Sequence, residues 1–167
     1  MARDIIGQPT ARDADARFLR LPPDSSEDYT MAAMGGQPNR RLTALGFLLR
    51  KCLLYGQLVY HRFDAFTLAY LLGGHEPLLA SAEVALDQLA DLEPELAATW
   101  KCYLRGCGPG QSDLSGITRE SIMGSGYYDE PSEMDRALTL ANVAPLVLAG
   151  CRRRLLQDRM LKLNALK

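Results

Sequence analysis

Histidine, cysteine and aromatic side chains are all sparse in this sequence: two His, four Cys, one Trp, and aromatics at 7% of 167 residues. Cys52, Cys102, Cys107 and Cys151 contain one C-x4-C pair and no second pair to complete a four-ligand zinc set, so reduced structural thiols are the expectation. Long apolar runs are missing as well. The stretch from Leu42 to Tyr60 carries Arg50 and Lys51 at its middle, and Leu138 to Gly150 is too short for the ~20 residues a membrane helix requires. The first residues, MARDIIGQPTARDADARFLRLPPD, interrupt any apolar centre with charge, which argues against a secretory signal and for a cytoplasmic setting, a host cell's included. Net charge is also nearly absent, at -1, so the chain as a whole is not committed to nucleic acid or an anionic surface.

Chemical signatures are thin in the same way. GCGPG at Gly106 lacks the lysine and hydroxyl residue of a phosphate loop, and GSG at Gly124 lacks a strand-to-helix context. No G-x-S-x-G elbow appears. His61 and Asp64 in YHRFDAF stand three apart, a spacing that could let a carboxylate orient an imidazole for base catalysis, but two residues do not make a site. No catalytic residue, metal ligand or cofactor is assigned from these patterns.

What the sequence does have is 47% hydrophobic and 23% charged residues, the composition of one globular domain. The expected fold is all-α: a single compact domain of five or six helices in an irregular bundle, with a long glycine-rich loop and a kinked C-terminal helix. Residues 1–41 read as an arm holding a short helix after Thr10, stopped at Pro22-Pro23, and a polar linker from Asp24 to Pro38. Residues 42–167 read as the helical core. A central helix over Thr43–Leu72 would turn Leu45, Leu48, Cys52, Tyr55, Val59, Phe66 and Tyr70 toward one face. Leu49, Leu53, Leu54 and Leu58 would widen it, leaving only a narrow wet strip. A helix starting at Pro77 or Ser81 and ending near Asp91, and another from Pro94 to Gly106, follow from their apolar spacing and start signals. The loop 106–131 has room for a short helix or strand pair between Ser115 and Met123. A last helical region runs from Pro131 toward Lys167, broken by Pro145.

Charge is segregated along the chain. Between Gly106 and Asp135 there are six acids and one base, whereas from Arg136 onward seven bases face Asp158 alone. The basic residues Arg152, Arg153, Arg154, Arg159 and Lys162, of which Arg152, Arg159 and Lys162 can share a ridge, and the acidic, aromatic patch of Tyr127, Tyr128, Asp129 and Glu130, are therefore the candidate interaction residues. The leading functional reading is a noncatalytic helical protein that binds another protein, regulates it or self-assembles. Nucleic-acid or anionic-membrane binding through 152–162 is the alternative, and a small enzyme centred on histidine is the third.

Overall fold

The computed structural model describes residues 18–19, 21–35, 39–56, 62–108, 110, 113–124 and 136–167. The protein is all-α, as its apolar spacing implies. Extended pairing among the described residues is slight: β1 (Phe18–Leu19) lies parallel to β2 (Arg62–Phe63), and Thr118 bridges Ala137. Residues 1–75 with 156–167 form one contact unit, and residues 76–155 form a second.

In the first unit, α1 (Ser26–Ala33) occupies the stretch expected to be a linker. Its start is encoded locally. The Ser25 hydroxyl accepts from the Asp28 N–H while the Asp28 carboxylate accepts from the Ser25 N–H, so two orphan donors are satisfied reciprocally. The helix buries no side chain, which explains why apolar periodicity does not reveal it. Phe18 and Leu19, expected in the arm's helix, are strand; the rest of that expected helix, apart from Leu21, lies outside the described residues.

The expected single central helix is two helices. The first, α2 (Arg40–Leu54), runs across the boundary placed after residue 41 and is followed by Gly56 at φ +64, a conformation a side chain resists. The second, α3 (Ala65–Leu71), begins anew because Asp64 caps it, its carboxylate accepting from the Thr67 N–H at 2.9 Å. Chain-terminal α8 (Met160–Leu166) packs against α2 and α3. The buried side of this unit is built from Leu42, Phe63, Phe66, Tyr70, Leu163 and Leu166.

In the second unit, α4 (Ala82–Ala90) and α5 (Pro94–Leu104) begin where local signals place them, at the Ser81 cap and at Pro94. Short α6 (Glu120–Met123) sits in the glycine-rich segment. It packs, with α4 and α5, on α7 (Val143–Leu155) around Leu86, Leu89, Trp100, Ile122 and Val147. Pro145 does not kink α7. It lies in the first turn, where its missing N–H costs nothing. The C-terminal helical region is instead divided by the 3-10 turn Gln157–Arg159.

Candidate functional site

Several charged groups of the first unit are turned inward. The Asp24 side chain is fully buried and accepts from the N–H groups of Leu161 and Lys162, at 2.7 and 3.2 Å, so a residue of the N-terminal segment caps α8. The Lys162 ammonium donates to the Pro23 carbonyl at 2.5 Å and lies 3.2 Å from Asp28 Oδ2 and 3.9 Å from Asp24 Oδ1. The Asp24 N–H donates in turn to the Asp158 carbonyl. Burial raises the Asp24 carboxyl above its ordinary range, against the opposing pull of the α8 amides and Lys162. For Asp28 burial pushes in the same direction but loses: hydrogen bonds from Ser25 and the Lys162 charge bring it down to about 2.

The sign of the Asp28 contribution follows from that depression. Its stabilisation is present above the ordinary 3.8 and is lost as the pH falls through about 2. Urea unfolding of wild type and Asp28→Asn should differ by about 2 kcal/mol at pH 5, with the gap closing toward pH 2. A gap that persists there would mean the carboxylate charge is not what stabilises the clamp.

A second internal group joins Asp64, Thr67 and Arg159. Beyond its capping bond, Asp64 Oδ2 accepts from the Thr67 hydroxyl at 2.7 Å, and Arg159 Nη1 stands 3.9 Å from the same oxygen. That is charge contact rather than a hydrogen bond. The guanidinium lies over the Phe66 ring, 5.8 Å from its centre. Nearby, the Tyr70 hydroxyl donates to Asn164 Oδ1 at 2.5 Å, and His75 packs against the Tyr70 and Phe66 rings. Asp64 is therefore a helix cap with a buried cation beside it, and His61, three positions before it, lies outside the described residues.

The basic ridge read from the sequence is divided in the same way. Arg159 is 2% exposed and Lys162 is buried, both facing partners within the first unit. In the second unit Arg152 is exposed and donates to the Leu79 carbonyl at 3.2 Å, Arg153 donates to the Met123 carbonyl, and Arg154 is half-buried. All three sit in the last turn of α7, where cations suit the carbonyl end of the helix. Tyr127, Tyr128, Asp129 and Glu130 lie outside the described residues.

Among the described residues, other reactive groups are not gathered. Among the described residues no three His, Cys, Asp or Glu side chains stand close enough to hold a metal ion. The four cysteines are free, and burial pushes the Cys151 thiol up to about 12, which removes its nucleophilic form at neutral pH. An open groove of about 320 Å³ between α4 and α5 is lined by Glu83, Leu86, Asp87, Lys101, Leu104 and Arg105, with Lys101 paired to Asp87 at 2.7 Å. It contains no histidine or cysteine.

The unexpected surface is α2. Leu42 and Gly46 turn inward, so the helix is rotated relative to the face expected from its leucines. Phe47, Leu48, Leu54 and Tyr55, at the outer side and just past its last residue, are 63%, 57%, 82% and 74% exposed. At 100° per residue these four, with exposed Ala44, cover roughly 120° of the helix circumference. Arg41 lies at one edge of that strip and Arg50 at the other, Arg50 also donating to the Lys167 carbonyl. Lys51 lies along the middle with its ammonium 4.9 Å from the Phe47 ring centre. A sequence signal for this face exists in the charge pattern: from Tyr29 to Phe63 there is no acid, against Arg40, Arg41, Arg50, Lys51 and Arg62.

No family model, curated protein or solved structure matches this chain.

Proposed function

We propose that this chain is a noncatalytic helical interaction protein whose contact surface is the outward face of α2. The observation that carries the reading is a contrast within one unit. Ionisable groups that could do chemistry, Asp24, Asp28, Asp64, Arg159 and Lys162, are held by internal partners, while large apolar groups stand in solvent. Single exposed apolar residues are ordinary on soluble proteins, but four within nine positions on one side of a helix make a contiguous patch that favours association.

A contact surface is dispensable for folding, and this gives the test. Phe47→Gln with Leu54→Gln keeps good helix formers and removes the apolar anchors. The double variant is expected to melt within about 2 °C of wild type. Wild type is expected to associate in light scattering at 1 M salt, where repulsion between the α2 cations is screened, and the double variant is expected not to. Pairing of Arg152–Arg154 with the acids of another copy would show the opposite salt response, weakening as salt rises. A large fall in melting temperature, or association indifferent to the double substitution, would overturn the proposal.

A further inference from the structure

Resting on the reading of α2 as the contact face, we infer that this face docks on an anionic lipid surface. Three observations narrow the occupant. First, the face carries Arg40, Arg41, Arg50 and Lys51 and no acid, so a symmetric second copy would set cation against cation. Second, Phe47 and Leu54 project outward between those cations, where a nucleic-acid backbone offers phosphate and sugar but no apolar layer to receive them. Third, the arrangement fits a plane with charge at its rim and hydrocarbon beneath it.

The fit can be followed around the helix. Phe47, Leu48 and Leu54 form the strip that would enter the boundary of headgroups and acyl chains, with Arg41 and Arg50 at its two edges, level with the phosphates. Tyr55, apolar in body and polar at its tip, belongs at that same level. Lys51 lies mid-strip with its ammonium over the Phe47 ring, and its long stem can carry that charge out to the headgroups. A protein groove would have to supply desolvated acids opposite both Lys51 and Arg40, which stands seven positions before Phe47 on the same strip, whereas a fluid anionic surface supplies a headgroup wherever each cation emerges. No helix of the described residues is long and apolar enough to cross a membrane, so the contact is interfacial.

The experiment is co-sedimentation of full-length protein with vesicles of phosphatidylcholine alone, or containing about a third phosphatidylserine. Wild type is expected to sediment with the anionic vesicles, weakly with the neutral ones, and less at 1 M salt. Phe47→Gln with Leu54→Gln should lower the partition coefficient about a hundredfold by removing the buried apolar groups. Arg41→Gln with Lys51→Gln should lower it about thirtyfold. Arg152→Gln with Arg154→Gln, on α7, should leave it within about twofold. Equal binding to neutral vesicles, no binding, or a loss confined to the α7 pair would overturn the lipid assignment. If vesicle binding is absent while salt-promoted association still depends on Phe47 and Leu54, the interaction reading survives with a protein as occupant. If both are absent, both readings fall.

Discussion

Asp64→Ala should remove about 3–5 kcal/mol of stability, read as a shift in the urea midpoint, because one substitution breaks two kinds of support. The cap at the start of α3 goes, with the 2.9 Å bond from the Thr67 N–H and the 2.7 Å bond from its hydroxyl. Capping loss alone typically costs about 1 kcal/mol. A further part comes from Arg159, whose guanidinium is 2% exposed and loses the carboxylate 3.9 Å away. Asp64→Asn separates these contributions, since the amide oxygen can still accept from the Thr67 N–H but brings no charge. It should fall between wild type and alanine. Arg159→Met in the Asp64→Asn background should recover much of the loss, because a flexible apolar chain can lie on Phe66 without needing a counter-charge. If Asp64→Asn and Asp64→Ala cost the same and Arg159→Met recovers nothing, the cap matters and the buried pair does not.

The same two residues show how far the sequence could be read. Asp64 is visible as a polar residue before an apolar run, a helix start signal, yet its three-residue spacing from His61 offers a chemical reading that is equally local. Only the approach of Arg159, from the other end of the chain, favours the structural role over the catalytic one. Ser25 and Asp28 posed a milder version of the problem. They fall in a stretch that reads as a polar linker, because α1 buries nothing and so lacks the apolar periodicity that identifies α4 and α5. Around α2 the difficulty was excess rather than shortage: leucines at 42, 45, 48, 49, 53 and 54 surround the helix and define no preferred direction. What fixes its rotation is a small residue, Gly46, at the approach to α8, and a close approach of two distant segments leaves no periodic trace. The burial of Arg159 and Lys162 is hidden from the sequence for a related reason. Charges are visible in a sequence, but the buried carboxylate Asp24, which with Asp28 receives Lys162, is 138 positions from it.

Gly46 supplies the other large effect. A Cβ built there would meet the Leu166 main chain, with the carbonyl carbon 2.9 Å away, and backbone cannot rotate aside as a side chain can. Gly46→Ala gains about 1 kcal/mol of helix propensity. Separating α2 from α8 around Leu42, Leu163 and Leu166 should more than offset it, for a net loss of about 2 kcal/mol. The matching position in the second unit is Gly150, where an added Cβ would come within 2.8 Å of both Ile122 Cγ2 and the Trp100 ring. Those neighbours are side chains, but Trp100 is 1% exposed and Ile122 3%, so they have little room to yield. Gly150→Ala should therefore also destabilise, by about 1–3 kcal/mol. The chain's single Trp distinguishes the two sites. Gly150→Ala should alter the folded-state emission of Trp100 directly, whereas Gly46→Ala should lower the stability read by far-ultraviolet circular dichroism and leave the folded emission maximum unchanged. A Gly46→Ala protein as stable as wild type would mean that α2 and α8 tolerate a methyl group between them, and the rotation that exposes Phe47 and Leu54 would then need another cause.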